Sequence, residues 1–312
     1  MNEVELIEQL TRHLPGHPST LVGAGDDCAV LDFGDPGRVV LFKTDAVVEG
    51  VHFESGTDPA RVGHKALARC LSDVAAMAGT PTHALVTLAV PADFDARYLE
   101  RLYAGLSELA AKHGVGIVGG ETTTNPERIL ISVAMLGTAV RGQCPLRSGA
   151  KPGDAVFVTG ELGGARAGKH LDFEPRLAQA RWLVEHFPVH AMIDLSDGLA
   201  RDLRHVLKAS QVGAELLDEA IPISRAARQT ARASAGAKPA RVAALTDGED
   251  FELLFTVPSR QAVPLLDAWK KAFPDLKLSC IGKITAAPGL TLRNKQGRRP
   301  LTIDGYVHFQ KP

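Results

Sequence analysis

The sequence predicts a mixed α/β chain of two domains, and three observations carry that prediction. Its 312 residues exceed the size at which single domains are commonest, so two cores are expected. Apolar runs of strand length alternate with segments whose apolar residues recur at helical spacing. Between the two halves lies RSGAKPGD (147–154), a run of turn formers that divides the chain into residues 1–146 and 147–312.

The elements follow in chain order. Val4, Ile7, Leu10 and Leu14 keep one helical face until Pro15 and Gly16 stop it. Residues 38–44 (RVVLFKT) read as a strand. Asp58 as N-cap and Pro59 at the first helical position open a helix that runs through Leu67, Leu71 and Val74 to Gly79 and Pro81. Its alanine content predicts close packing. Residues 83–90 (HALVTLAV) read as a buried strand, Leu99, Leu102, Leu106 and Leu109 mark a helix ended by Gly114, and residues 129–138 form a further strand. In the second half, 155–159 and 251–257 read as strands, and a helix after Asp197 places Leu199, Leu203 and Val206 on one face. Residues 224–240, rich in Ala, Arg and Ser, take no clear assignment.

Composition excludes several functions. The formal net charge is -1 and basic residues are scattered, which lacks the electrostatic footprint of a nucleic-acid binder. Small molecules are the expected partners. Cys28, Cys70, Cys144 and Cys280 form no C-x-x-C pair, which argues against a zinc site or a disulfide framework and fits a reducing cytoplasm. The N-terminus lacks the pattern of a signal peptide, and no apolar run is long enough to span a bilayer, so no membrane association is expected.

Six short acidic motifs carry the chemical signal: Gly25-Asp26-Asp27, Thr44-Asp45, Ser72-Asp73, Gly119-Gly120-Glu121-Thr122, Asp194-Leu195-Ser196-Asp197 and Asp247-Gly248-Glu249-Asp250. Most adjoin strand-like runs, so they fall on loops of a rigid scaffold, where binding concentrates. If the loops converge, the carboxylates repel one another by about 4 kcal/mol per pair at about 4 Å and an effective dielectric of about 20. Hard divalent cations such as Mg²⁺, which take oxygen ligands and bind substrate phosphates, are the natural neutraliser. Each motif alone could equally be a turn or a helix cap.

Two tempting patterns are rejected. Gly163 to His170 nearly satisfies a phosphate loop but ends in His170, a poor Mg²⁺ ligand where Ser or Thr is needed. His186 and His190 have metal-pair spacing, but Pro188 between them disfavours one regular helix.

Taken together, GAGDDCAVL (23–31), KTDAVVEGVHF (43–53), KALARCLSDVAAMAGTP (65–81), IVGGETT (117–123), RSGAKPGDAVFVTGELG (147–163), IDLSDGLARDL (193–203), DGEDFELLF (247–255) and GYVHF (305–309) resemble the motifs of the thiamine-monophosphate kinase family. That family shares a superfamily with aminoimidazole ribonucleotide synthetase and selenophosphate synthetase. The resemblance runs nearly end to end. It implies ATP-dependent phosphorylation of thiamine monophosphate to the diphosphate, with ATP as co-substrate and several Mg²⁺ ions. It also implies a homodimer built through the strands of an N-terminal α/β domain, and a C-terminal α/β sandwich.

Carried over by position, Asp27, Asp45, Asp73, Glu121, Asp194 and Asp197 resemble the family's metal ligands, with Thr44 assisting. Gly120, Arg147 and Ser196 match nucleotide contacts, and His113 stands where an aromatic nucleotide contact is common. His52, Glu249 and Tyr306 match residues that hold thiamine monophosphate. The sequence departs from the family at Glu121 (usually Asp), Asp247 (usually Gly) and Phe251 (usually Tyr).

The residue chemistry fits these roles. Phosphoryl transfer needs positioning and charge neutralisation more than covalent catalysis. Arg147 can grip phosphate oxygens bidentately. The acceptor, a phosphate monoester with a second pKa near ~6, is already ionised at neutral pH, so no dedicated general base is expected. A cationic thiazolium ring gains roughly 0.5–2 kcal/mol on an aromatic face such as Tyr306, although Tyr306 and Phe309 could equally pack a C-terminal strand. The alternatives are another ATP-using superfamily enzyme, such as aminoimidazole ribonucleotide synthetase, or a non-catalytic nucleotide-binding paralogue. KTDAVVEGVHF and SDVAAMAGTP favour the kinase over the first.

Overall fold

The computed structural model describes residues 3–233 and 236–306. The first half forms α1 (Glu3–Thr11), β1 (Thr20–Val22), β2 (Ala29–Leu31), β3 (Arg38–Val48), α2 (Pro59–Ala76), β4 (Thr80–Val90), α3 (Ala96–His113), β5 (Gly116–Thr124) and β6 (Leu130–Val140). The second adds β7 (Asp154–Thr159), α4 (Lys169–Asp172), α5 (Leu177–His186), β8 (Ala191–Asp194), α6 (Leu199–Ser210), β9 (Gly213–Leu217), α7 (Arg225–Ala233), α8 (Ala240–Thr246), β10 (Leu253–Pro258), α9 (Ala262–Ala272), β11 (Leu278–Thr285), β12 (Gly289–Asn294) and β13 (Gly297–Pro300).

These strands make two sheets, one on each side of the turn-rich stretch. The first has the order β1-β2-β3-β6-β4-β5 and is antiparallel except for β4 and β5, which α3 connects in parallel. Because side chains alternate along a strand, Val39, Leu41 and Val47 of β3 turn to the helix layer with Val133 and Val86, while Phe42 and Thr44 turn to the opposite, open face.

Helix α2 is built as its sequence demands. Asp58 Oδ1 accepts from the Ala60 and Arg61 N–H groups at 3.0 and 3.4 Å, and Pro59 occupies the first turn, where a missing N–H is harmless. The close packing has a specific source: a Cβ on Gly63 would meet the Leu102 carbonyl at 1.9 Å, and one on Gly105 the Ala60 carbonyl at 2.0 Å. Two glycines therefore let α2 and α3 cross backbone to backbone.

The second sheet has the order β13-β12-β9-β11-β7-β10-β8 and carries helices on both faces. Val156, Val158, Ile193 and Leu254 pack towards α6 and α8, against Leu199, Leu203 and Leu245. Phe157, Met192 and Phe255 pack towards α5 and α9, against Leu183, Leu265 and Trp269. The halves also share cores: Ala76 and Ala78 enter this last layer, whereas Leu171, Phe173, Leu177 and Phe251 pack into the first core.

Four expectations need adjustment. Three of the acidic motifs expected on loops lie inside regular elements: Thr44-Asp45 in β3, Ser72-Asp73 in α2 and Gly119 to Thr122 in β5. The strand expected at 251–257 begins at Leu253, because Glu249 and Phe251 take positive φ angles of 66° and 49° that no strand contains. Residues 224–240 supply α7 and lead into α8 at Ala240, with 234–235 outside the described residues. Tyr306 lies beyond the last strand, and Phe309, with the 307–309 part of GYVHF, falls outside the described residues. Among the described residues no helix is long and apolar enough to cross a membrane.

Candidate active site

Helix α2 presents Lys65, Arg69 and Asp73 at intervals of four, so the three charges share one side of a helix that is otherwise mostly buried and apolar. Each meets a different part of the site. Lys65 is fully buried, with its Nζ 2.6 Å from Glu249 Oε1 and 2.5 Å from the His52 carbonyl oxygen. Arg69 grips Asp45 with Nε at 3.0 Å and Nη2 at 3.1 Å. Asp73 meets Lys43 at 3.1 Å.

Three of the predicted metal ligands converge. Oxygens of Asp27, Asp73 and Asp194 all lie within 4.8 Å of one another, and all three residues are buried. The chain's own donors cover only part of this charge. Arg147 donates to Asp27 Oδ1 from Nε at 3.1 Å and Nη2 at 2.5 Å, and Ser72 donates to Asp194 Oδ2 at 2.6 Å. Asp27 Oδ2 and Asp73 Oδ2 are buried without a hydrogen-bond partner. The strain is visible in the titration behaviour: burial and the Asp27 charge push Asp194 up to about 7, and burial with the neighbouring carboxylates raises Asp73 well above the usual range despite Lys43.

A pocket open to solvent lies beside this cluster. His52, Glu249 and Tyr306, the three predicted substrate residues, all line it, with Ser196, Asp197, Arg69, Arg166 and Phe251. Burial and Arg69 lower His52 to about 4, so its ring is neutral at physiological pH. Phe251 stacks on Phe173 at 3.9 Å between centroids, and the Arg166 guanidinium lies 5.8 Å from the Tyr306 ring centre.

One loop joins cluster to pocket. Asp194, at the end of β8, sits in the cluster, while Ser196 and Asp197 line the pocket. The Ser196 carbonyl accepts from the Glu249 N–H at 2.7 Å, and the Asp197 carbonyl accepts from the Tyr306 N–H at 2.9 Å. Asp202 in turn accepts from the Asp197 and Gly198 N–H groups at 3.0 Å each, which fixes the loop at the start of α6. The loop thereby fixes the backbone of Glu249 and Tyr306.

Other predicted site residues lie apart. Thr44 and Glu121 are on the open face of the first sheet, as the registers Thr44↔Ala134↔Leu85 and Thr87↔Glu121 require, whereas Asp45 faces the helices. Glu121 is exposed, and its Oε1 accepts from the Thr122 N–H at 3.1 Å. Gly120 is pressed against β4, where a Cβ would meet the Val86 carbonyl at 1.8 Å. His113, at the end of α3, meets Glu174 at 3.3 Å and does not line the pocket.

Both rejected patterns have other partners. The N–H groups of Gly163 and Gly164 donate to Asp250 and Asp247, and Lys169 binds Glu252 at 2.7 Å. His186 bonds the Trp182 carbonyl and His190 bonds Asp154. Lys65, Arg69 and Arg166 were not foreseen as site residues. The signal for the first two was present as charges spaced by four on an apolar helix face; Arg166 had no signal beyond its glycine-rich loop.

Known proteins match this chain over nearly its whole length. The family described as AIR synthase related protein, N-terminal domain, matches residues 25–139. The thiamine-monophosphate kinase of Rhodopirellula baltica is 42% identical over 308 residues, covering 96% of this chain and 93% of that protein. That of Escherichia coli strain K12 is 34% identical over 314 residues, covering 93% of each. A solved structure of AaThiL complexed with AMPPCP and TMP matches with a TM-score of 0.77 and 30% identity, over 99% of this chain and 97% of that one. With relatives of this similarity spanning nearly its whole length, the chain belongs to the thiamine-monophosphate kinase family.

Proposed function

We propose that the protein transfers the γ-phosphoryl group of ATP to thiamine monophosphate, giving thiamine diphosphate and ADP by direct in-line transfer. The observation that carries this reading is the 194–197 loop, which places one carboxylate in the Asp27/Asp73/Asp194 cluster and two residues in the His52/Glu249/Tyr306 pocket. Donor phosphates and acceptor would then meet along a single loop. The kinase names of the relatives and the AMPPCP and TMP bound to AaThiL support the same substrates.

The cluster suits Mg²⁺. Its donors are all oxygens, and two buried carboxylate oxygens have no hydrogen-bond partner. Asp27, Asp73 and Asp194 would hold the ion, with Asp45 and Asp197 on neighbouring elements, while Thr44 and Glu121, on the open face of the first sheet, would serve a further ion rather than this one. Bound there, Mg²⁺ would neutralise charge on the transferring phosphates. Arg147, held on Asp27, would reach nucleotide phosphates, with Gly120, Ser196 and His113 as further nucleotide contacts. His52, Glu249 and Tyr306 would orient the acceptor, whose ionised phosphate attacks without a general base.

Residues 1–146 and 147–312 would act as two domains, and the chain as a homodimer in the cytoplasm. Phe42, Leu85 and Leu136 support the dimer: all three are exposed on the open face of the first sheet, which a second copy would cover. Sedimentation of the purified protein tests it, and a monomer at working concentration removes it. The function is tested by incubating the protein with ATP, Mg²⁺ and thiamine monophosphate and following thiamine diphosphate and ADP. Measurable ATP binding without product, over a broad range of metal concentration, would overturn it.

A further inference from the structure

Lys65, Arg69 and Arg166 converge on the pocket, where they meet the carboxylates of Asp45 and Glu249. Cations outnumber anions in this group, since Asp197 on the same pocket is matched by Arg201 at 3.1 Å, and Lys65 at 2.6 Å already neutralises Glu249. The surplus sits on the arginines. Arg69 spends Nε and Nη2 on Asp45, while its Nη1 stands 3.8 Å from Glu249, too far for a hydrogen bond. Its side chain is only 14% exposed and lines the pocket, with the guanidinium carbon 6.0 Å from the Phe251 ring centre, so the group is held in place there. Arg166, 61% exposed, stands over Tyr306 at the mouth, with Nε 3.9 Å from Glu249.

An unspent guanidinium edge at the wall of a polar pocket is a recognition element for a phosphate, because its planar N–H fork matches phosphate oxygens. We propose that Arg69, helped by Arg166, binds the phosphate group of the acceptor and makes the pocket selective for a phosphorylated over an unphosphorylated thiamine. This rests on the acceptor-pocket reading above and adds to it the residues that read the phosphate. Arg69 is then specificity-determining, and its bond to Asp45 fixes the fork relative to the carboxylates.

The test compares thiamine monophosphate and thiamine by titration calorimetry without ATP, alongside steady-state kinetics, in wild type, Arg69→Met and Arg166→Met. Arg69→Met is expected to weaken thiamine monophosphate by about 10- to 100-fold, the loss typical of a charge-assisted pair, and to leave thiamine within about threefold. KM for thiamine monophosphate should rise in parallel, with KM for ATP little changed. Arg166→Met should show the same selectivity loss at about 3- to 10-fold. Equal weakening of both ligands, or a fall in kcat with unchanged binding, would overturn the proposal. If Arg69→Met does not fold, Arg166→Met decides, and unchanged discrimination there also overturns it. Failure of the kinase reading is distinct: wild type would then make no thiamine diphosphate, whatever the arginine variants bind.

Discussion

Two groups of buried carboxylate in this molecule solve the same electrostatic problem in opposite ways. Glu252 is 1% exposed and fully matched by the chain itself: Arg176 holds it through Nε at 2.8 Å and Nη2 at 2.7 Å, Lys169 at 2.7 Å and Thr159 at 2.7 Å. The Asp27, Asp73 and Asp194 cluster is just as buried, yet two of its oxygens have no partner. Their titration separates them accordingly. Against burial, Lys169 and Arg176 hold Glu252 down to about 2, whereas burial and Asp27 push Asp194 up to about 7. A satisfied buried acid is architecture, and the unsatisfied group is the one for which we propose a cation.

The largest expected effect breaks the satisfied side. Glu252→Gln leaves Lys169 and Arg176 without their counter-charge and should destabilise the fold by about 3–5 kcal/mol in denaturant titration. The pH dependence has a defined sign. A carboxylate with a depressed folded value contributes stability that is present above its unfolded value of 4.5 and lost as pH falls towards about 2. The variant should lack this part of the acid limb. A loss under about 1 kcal/mol would mean that Glu252 is not the anchor described here.

On the unsatisfied side the prediction reverses. Asp73→Asn removes one of three crowded carboxylates, so stability should hold or rise while kcat falls about 10²- to 10³-fold, the scale of losing one electrostatic stabiliser. Asp45→Asn is a less clean test, because it breaks a two-bond pair and leaves Arg69 without its carboxylate, whereas Lys43, which loses its 3.1 Å contact in Asp73→Asn, keeps the charges of Asp45 and Asp27 nearby. Near-normal turnover in Asp73→Asn, or a large loss of stability, would place this cluster with Glu252 as architecture. A smaller effect sharpens the same contrast. Mg²⁺ at about 100 times its dissociation constant should stabilise wild type by about 2.7 kcal/mol, a rise in Tm of roughly 5 °C, and Asp73→Asn by much less. Equal Tm shifts in both proteins would remove Asp73 from the cation site.

This contrast also marks what the sequence could reveal. Helix α2 and the core strands were legible because their caps and periods are local, as Asp58, Pro59 and Leu67 show. The short strands β1 and β2 and the edge pair β12 and β13 were not, because pairing rather than composition defines them. In the site, acidic motifs flagged the cluster and Glu249, whereas His52 and Tyr306 were marked only by the family resemblance. They could not tell Glu252, one residue from strand β10, apart from Asp194, since that difference lies in partners distant in sequence, Arg176 and Lys169 for one and Asp27 for the other. Nor could motif order separate Thr44 from Asp45. These neighbours go to opposite faces because a strand alternates.

That alternation leads to the smallest effect. Glu121 shares the open face with Thr44, is exposed, and touches none of the three clustered carboxylates. Shortening it to the family's usual residue should therefore leave the cluster's charge and burial unaltered. Glu121→Asp is expected to change kcat/KM by less than about threefold and to keep the Mg²⁺-dependent rise in Tm. If it abolishes activity, the open face contributes to chemistry through the glutamate's own length, and the division between a helix-covered site and an open face fails. If it instead raises turnover, the extra methylene was holding a ligand out of position, and the open face belongs to the same site by way of the second copy that would cover it.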